Sequence, residues 1–259
     1  MKFDRYIFHA RLLPALTIAI PVVLAVSPWL PSEIFYSKGI AGQAAKLGLS
    51  GSIAMAMAYV LGQLSRGLGA RLEERLWKEW GGRPSTVFLR HRDPSLGARQ
   101  KLDLHARIRQ INPDLHLPAP EEEAEDPVEA DHCYERVGSW LRGKTRDAKQ
   151  FPLLFEDNVA YGFRRNLLAL RPYAFLASGV GVVSGMWAFM LAADWLAAVI
   201  GSTLIGLYAS HNSIADVRRQ SEKYTRSLFD ALDRLDHQGP ARRRPPRRPR
   251  GRPSNEDAA

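Results

Sequence analysis

Four stretches of the chain contain no charged side chain, whereas the sequence between and after them is strongly polar. They cover approximately residues 12–30, 47–65, 173–193 and 195–210. A helix rises about 1.5 Å per residue, so each stretch is about long enough to cross a hydrocarbon layer about 30 Å thick. The polar remainder lacks the apolar faces that would cover four such helices in a soluble core. The pattern therefore predicts a mostly all-α membrane protein with four transmembrane helices in two hairpins.

The first apolar stretch also has features of a signal peptide. Basic residues precede it, and Ala-Val-Ser at residues 25–27 resembles a cleavage site. Pro28 directly after that site disfavours cleavage, and a second apolar stretch follows soon afterwards. We therefore expect an uncleaved anchor. Three prolines spaced by seven residues, Pro14, Pro21 and Pro28, predict that this helix is easily kinked.

The distribution of lysine and arginine predicts the orientation of these helices. Basic residues are concentrated before the first and third stretches and after the second and fourth. The opposite side has only Lys38 and Lys46 between the first two stretches, and only Asp194 between the last two. Cytoplasmic flanks of membrane spans carry the excess of positive charge. We therefore expect a multi-pass protein of the bacterial inner membrane with both termini and the long middle segment in the cytoplasm.

Small residues recur at every fourth position of the apolar stretches, which is typical of closely packed membrane helices. They are Ser50, Ala54, Ala58 and Gly62 in the second stretch, Ala177, Gly181 and Gly185 in the third, and Ala198, Ser202, Gly206 and Ser210 in the fourth. Two interpretations remain open, namely packing inside one four-helix bundle and contact between subunits of a homo-oligomer, and both can hold at once. The four stretches contain no Asp, Glu, Lys or Arg, which disfavours an ion-coupled transporter.

The polar sequence divides the chain into five parts. Residues 1–66 form the first hairpin, 67–171 a mainly helical cytosolic domain, 172–213 the second hairpin, 214–238 a cytosolic helix, and 239–259 a disordered tail rich in arginine and proline. Within the cytosolic domain we predict a β-prone run over 85–89, helices near 95–111 and 126–143, and an acidic, proline-rich, mobile loop over 112–127. Pro172 is expected in the first turn of the third span.

Aromatic and apolar residues spaced by four lie just before the third span, beside two arginines. They are Phe151, Phe155, Val159, Phe163 and Leu167. A helix of this pattern can lie in the membrane interface, where Arg164 and Arg165 would meet anionic lipid or another acidic partner. The alternative is a helix that packs on the other cytosolic helices.

No catalytic, metal or cofactor site is predicted, and we expect a protein that is not an enzyme. His91-Arg92-Asp93 matches part of the protein-kinase catalytic loop, but the required asparagine, the DFG sequence and the glycine-rich loop are missing. Side chains of metal-ligand type occur at Asp103 and His105, Asp114 and His116, and Asp131, His132 and Cys133. None has the repeated spacing of zinc sites, so solvated polar residues are expected. The single cysteine allows no internal disulfide.

The tail changes the interpretation of the formal charge of +9, because seven arginines lie between Arg242 and Pro253. Residues 249–253, PRGRP, resemble the core of the AT-hook family. The resemblance implies that Arg250, Gly251 and Arg252 enter the minor groove of A·T-rich DNA while Arg247 and Arg248 contact phosphates. AT-hooks usually continue with lysines, whereas Ser254, Asn255, Glu256 and Asp257 follow here. Attraction to anionic lipid and a merely solubilising tail are the alternatives.

The layout of two spans, a cytosolic domain and two further spans is similar to that of the four-helix membrane effectors of bacterial anti-phage systems. The phrases LWKEWGGRPST and FPLLFEDNVAYGFRRNLLALRP also resemble an uncharacterised bacterial membrane protein family. The first resemblance implies that a cytosolic protein or small ligand drives oligomerisation and membrane damage. We therefore expect a ligand- or partner-controlled membrane effector that contacts membrane lipids and forms a pore. The main alternative is a scaffold that tethers DNA or another acidic partner through the tail; a transporter or a membrane-surface enzyme is less favoured.

Overall fold

The computed structural model describes residues 5–29 and 40–238, and every regular element in these two ranges is helical. The helices are α1 (Arg5–Trp29), α2 (Ile40–Glu79), α3 (Pro84–Val87), α4 (Ala98–Ile111), α5 (Pro120–Glu125), α6 (Pro127–Lys144), α7 (Pro152–Met190), α8 (Leu196–Ser210) and α9 (Ile214–Gln238). The prediction of a mainly all-α protein is confirmed. The β-prone run over 85–89 is wrong, because Pro84 occupies the first turn of the short helix α3.

The apolar helices pack together as one bundle. Helix α1 contacts α2, α7 and α8, and α7 contacts α1, α2, α8 and also α9. Alanines on α1 and α2, including Ala15, Ala19, Ala54 and Ala58, are buried against each other and against Leu170. Within the described residues, α1 and α7 are long and apolar enough to cross a membrane, and α8 is a shorter apolar helix. The span predicted over 47–65 lies inside α2, where Gly, Ser and Gln interrupt the apolar residues.

Two helices continue from the apolar bundle into the polar part of the molecule. Helix α2 has 40 residues and α7 has 39, and neither is interrupted. Pro172 lies inside α7, so the expectation that it begins a separate helix is wrong. The boundary placed between residues 171 and 172 falls in the middle of a continuous helix. The two parts of the fold are therefore connected by rigid elements as well as by loops.

The polar part of the chain has its own hydrophobic core. Large side chains from α4, α6, the start of α7 and α9 meet there, among them Ile108, Tyr134, Leu141, Phe151 and Leu232. The helix predicted over 126–143 is confirmed as α6. Residues 112–127 are not a simple loop, because α5 forms inside them and buries Glu123. Phe151 packs in this core, which favours the packed alternative for the beginning of α7.

Helix α1 is irregular near its first proline. Residues Phe8–Leu12 form a π-helical turn, and the regular α-helix resumes at Leu13. Pro14 has no N–H, so the carbonyl of Ala10 lacks its α-helical donor. Asn166 of α7, which is 1% exposed, donates from Nδ2 to that carbonyl at 2.6 Å. A side chain from the neighbouring helix thus replaces the missing backbone donor and fixes α1 on α7.

Candidate functional site

The small residues of the apolar stretches lie at contacts inside the chain. A Cβ atom at Gly181 would overlap Ser202 Oγ, and one at Gly185 would lie 2.7 Å from Val199 Cγ2. At Gly206 it would approach Ser178 Cβ to 3.3 Å, and at Gly62 it would approach Leu12 Cδ2 to 3.3 Å. Ala54 and Ala58 are buried, and Ser50 is half-buried. These contacts support packing within one chain; the subunit contact remains a prediction.

The two arginines expected to meet acidic partners have different surroundings. Arg164 lines a cavity of about 600 Å³ between the start of α1, α7 and the end of α8, together with Arg5, His9 and His211. Arg165 instead turns to α2, where Nη1 lies 3.0 Å from Glu73 Oε2. The tail residues Arg247, Arg248, Arg250, Gly251 and Arg252 lie outside the described residues.

An ion-pair network fixes the loop after α3 on α5 and α6. Arg90 donates to both carboxylate oxygens of Asp131 at 2.7 and 2.8 Å, and Arg92 bridges Asp131 and Glu123 at 3.0 Å each. Glu123 also accepts bonds from Tyr134 Oη and from two backbone N–H groups. Burial opposes ionisation of Glu123, but these donors outweigh it and lower the pKa of Glu123. These charge-assisted hydrogen bonds hold the loop after α3 in a fixed position against α5 and α6.

His105 corrects the expectation of solvated polar side chains. It is 2% exposed, and its Nε2 donates to the carbonyl of Leu89 at 2.9 Å. The buried Nδ1 has no hydrogen-bond partner in the described ranges. Burial lowers the pKa of His105 to about 4, and a proton on Nδ1 would lack an acceptor. Asp131 is also partly buried and ion-paired, and Cys133 is buried. Among the described side chains, no group of three or more potential ligands could hold a metal ion.

A cleft lies where the apolar bundle meets the polar part of the fold, and we call it the junction crevice. It consists of two adjoining cavities of about 610 and 210 Å³ that share Tyr6, Arg142, Asn158 and Tyr224. Side chains from α1, α2, α6, α7 and α9 line it, together with residues at the beginning of α3. Every helix that connects the two parts of the fold therefore contributes to one site.

One wall of the junction crevice is a paired charge cluster. Glu73 of α2 accepts a hydrogen bond from Tyr161 Oη at 2.7 Å and pairs with Arg165 at 3.0 Å, both on α7. The ring of Tyr161 stacks parallel to that of Tyr224 on α9, with 6.3 Å between the ring centroids. The cluster therefore joins three helices at the level where they leave the apolar bundle.

The lining of the junction crevice also includes two arginines with different surroundings, Arg83 and Arg142. Arg142 Nη2 donates to Ser139 Oγ at 3.0 Å, and Nη1 lies 3.4 Å from Ser85 Oγ. The guanidinium carbon of Arg83 lies 4.3 Å from the ring centroid of Trp77. Burial lowers the pKa of Arg142, and the like charge of Arg83 lowers it further. Perturbed pKa values in a cleft are typical of functional sites.

Sequence reasoning missed the junction crevice, because its residues are scattered over most of the chain. The signal that exists is local: Arg83 follows the glycine pair after α2, and Arg142 directly follows the buried Leu141 of α6. Comparison of the chain with known protein families, curated proteins and solved structures finds no match, so no family is assigned.

Proposed function

We propose that the chain is a membrane effector of the bacterial inner membrane, controlled by a cytosolic ligand or partner. Four membrane helices of each subunit assemble in a homo-oligomer and open a pore, while both termini and the cytosolic domain stay in the cytoplasm. We propose phage defence as its purpose, on the similarity of layout noted above. The observation that carries the proposal is the continuity of α2 and α7 through the junction crevice.

The contacts at the junction provide a route from the cytosolic domain to the membrane. Glu73 lies on α2, and its partners Tyr161 and Arg165 lie on α7. The same two helices continue into the apolar bundle, where they pack on α1 and on each other. Helices of this kind move as rigid bodies, so a displacement at the junction is transmitted along their length. The resting arrangement is the one in which Glu73 holds the two helices together.

The surface of the bundle is consistent with a membrane environment. Large apolar side chains on α7 and α8 are exposed, among them Val183, Trp187, Leu204 and Leu207. A soluble protein rarely exposes so many large apolar groups on adjacent helices, whereas a bundle in lipid does so along its outer faces. The absence of charged residues in the four apolar stretches argues against a carrier mechanism and leaves the pore favoured.

Dye release from vesicles tests the proposed function. The full chain is reconstituted at increasing protein-to-lipid ratios into vesicles of phosphatidylethanolamine and phosphatidylglycerol that contain a fluorescent dye. For an oligomeric pore, release rises more steeply than in proportion to the protein. Glu73→Gln is expected to raise release several-fold, because the ion pair of Glu73 with Arg165 that joins α2 to α7 is lost. Glu74→Gln is the matched control: the side chain is adjacent, exposed and equally charged, and release should equal that of the wild type.

Two results would contradict this proposal in different ways. An absence of release at every ratio, for the wild type and for Glu73→Gln, with and without cytosolic extract, would reject the effector function. Release that is identical for Glu73→Gln and Glu74→Gln would retain membrane damage but reject the junction as the point of control.

A further inference from the structure

Among the described residues, Arg83 and Arg142 of the junction crevice lack the close counter-ion that two other half-buried arginines have. Arg90 and Arg165 each lie within 3.0 Å of a carboxylate oxygen. No carboxylate oxygen of residues 5–29 or 40–238 lies within 4.0 Å of a guanidinium nitrogen of Arg83 or Arg142. Both of these side chains are half-buried. The described part of the fold therefore supplies counter-ions for Arg90 and for Arg165, which also lines the crevice, but not for Arg83 and Arg142.

The contacts of Arg142 leave much of its hydrogen-bonding capacity unused. A guanidinium carries five N–H donors. In this structure the polar contacts of Arg142 are the neutral hydroxyl groups of Ser139 and Ser85, at 3.0 and 3.4 Å. The carboxylates of Glu73 and Glu135 favour its charge only from a greater distance. Partial burial of a charge without a close counter-ion is unfavourable. A bound anion would supply the close counter-ion that the described residues do not provide.

Neutral donors point to the same space. Asn158 and Tyr224 line both cavities, and neither side chain forms a hydrogen bond to another described residue. The hydroxyl of Ser85 and that of Ser221 are buried at the wall of the smaller cavity. An amide, several hydroxyls and two guanidinium groups thus surround one volume. This combination suits a compact oxyanion with several acceptor oxygens.

The net charge of the lining indicates how negative the occupant should be. Four arginines line the two cavities, namely Arg83, Arg142, Arg146 and Arg165, against the single carboxylate of Glu73. Because Arg165 already neutralises Glu73, the other three remain uncompensated by the lining. Arginine is the residue of choice for bidentate recognition of phosphate. The rings of Tyr224 and Trp77 at the same walls provide apolar surface for the rest of a small organic molecule.

We propose that the junction crevice binds a small phosphate-bearing molecule, with Arg83 and Arg142 contacting the phosphate oxygens and Asn158 and Tyr224 completing the site. The inference rests on the proposed function, because it assigns this molecule as the ligand that controls the effector. The occupant contacts α6 and α9 of the cytosolic domain as well as α2 and α7. Its binding therefore draws α6 and α9 towards α2 and α7, the two helices that the Glu73 cluster joins. Because α2 and α7 continue into the apolar bundle, their membrane portions are displaced as well.

Calorimetric titration of the full chain in neutral detergent tests the site without a membrane readout. The probes are sodium pyrophosphate and adenosine monophosphate, each at constant ionic strength. We expect saturable binding to the wild type and affinity weaker by about tenfold or more in Arg142→Gln and in Arg83→Gln. Arg136→Gln is the matched control, because Arg136 also lies on α6 but is exposed and paired with Glu129 at 3.3 Å. Its affinity should equal that of the wild type.

A second measurement separates a ligand contact from a structural role. Without phosphate, Arg142→Gln should have a midpoint of thermal unfolding equal to or higher than that of the wild type, because the substitution removes an uncompensated, partly buried charge. An arginine that held the fold together would lower the midpoint on removal. Pyrophosphate should raise the midpoint of the wild type and leave that of Arg142→Gln unchanged.

A further titration distinguishes the two possible sources of the phosphate, a lipid headgroup and a soluble compound. The wild-type protein is also titrated with pyrophosphate in nanodiscs. Weaker binding in phosphatidylglycerol nanodiscs than in phosphatidylcholine nanodiscs would show that an anionic lipid headgroup competes for the site, and it assigns the phosphate to a lipid. Equal binding in both nanodiscs assigns it to a soluble compound. The absence of saturable binding of either probe, or equal losses in Arg142→Gln and Arg136→Gln, overturns the proposal. The calorimetry involves no vesicles. A failure to bind phosphate would therefore leave the result of the dye-release experiment, and with it the proposed membrane function, unaffected.

Discussion

Asn166 of α7 donates a hydrogen bond from Nδ2 to the backbone carbonyl of Ala10 in α1, at 2.6 Å. The carbonyl is available because Pro14, four residues later, cannot donate to it. The bond lies beside the π-helical turn of α1 and is almost fully buried. A second bond couples the same helices farther along, since Ser184 Oγ donates to the carbonyl of Ala25 at 2.5 Å. Two polar bonds to backbone thus set the relative position of α1 and α7.

Asn166→Ala should destabilise the bundle by about 1–3 kcal/mol, because it leaves the Ala10 carbonyl unsatisfied in an apolar environment. Adding Pro14→Ala should recover part of that loss, since the backbone N–H at position 14 can then bond to the Ala10 carbonyl. Unfolding of the detergent-solubilised full chain, followed by tryptophan fluorescence, gives the four corners of the cycle. Strictly additive effects of the two substitutions would show that proline and asparagine are not compensating for each other.

Gly181→Ala should also destabilise the chain by about 1–3 kcal/mol through overpacking, because its Cβ would overlap Ser202 Oγ and lie 2.8 Å from Ser202 Cβ. Adding Ser202→Gly to this variant should restore most of the stability. The next neighbour of the new Cβ at position 181 is the Pro21 carbonyl oxygen, which lies 3.3 Å from it. Gly179→Ala is the control and should be neutral, because nothing lies within 4 Å of its Cβ. The midpoint of thermal unfolding in detergent measures all three. If Gly181→Ala and Gly179→Ala behave alike, the α7–α8 contact is not as described.

The pH dependence of stability should carry the signature of His105. Its pKa is about 4 in the folded chain, because burial disfavours the charged ring, against about 6.5 for an exposed histidine. The unfolded chain therefore binds the proton more readily, so stability falls as the pH drops from about 6.5 to about 4 and is unaffected above that window. The free energy of unfolding should fall by about 3 kcal/mol over this window, the amount that corresponds to the difference between the two pKa values.

Urea unfolding at several pH values isolates this contribution. His105→Gln should flatten the curve between pH 6.5 and 4, since glutamine cannot be protonated and can still donate to the Leu89 carbonyl. His132→Gln serves as the control, because that side chain is exposed on α6 and paired only with Glu129. Parallel curves for the wild type and His105→Gln would exclude a buried neutral imidazole. Glu123 acts in the same direction at lower pH. Its pKa is lowered in the folded chain, so the ionised carboxylate stabilises the fold, and this contribution is lost as the carboxylate is protonated.

Hydrophobic patterning was sufficient to predict the helical class and α6, because both depend on periodicity within a short window. It failed at Pro172, where the proline rule predicts a helix start but packing on the neighbouring helices keeps α7 continuous. It also failed at Glu123 and His105. Composition marks both as solvated, whereas their burial depends on donors and acceptors contributed by the loop after α3. Such partners are set by tertiary contacts that no local pattern contains.

The junction crevice illustrates the same limit for a site. Arg83 follows a glycine pair, Arg142 follows a core leucine, and Tyr224 lies on the amphipathic helix α9. Each residue is ordinary in its local context. They become a site only because α3, α6 and α9 meet beside α7, and the missing counter-ion is a property of that meeting. The Arg164 and Arg165 pair shows the reverse, since adjacent residues on one helix turn to different neighbours.

The unbroken length of α2 and α7 makes each helix a lever with its fulcrum at the crevice. In α2, Glu73 lies 33 residues after Ile40 and six residues before Glu79, so the two arms are about 50 and 9 Å long. A tilt of about 5° then moves the far end by about 4 Å and the near end by less than about 1 Å. A molecule that moved the near end by a fraction of an ångström would thus displace the far end of the helix by several ångströms, although no residue there lines the crevice.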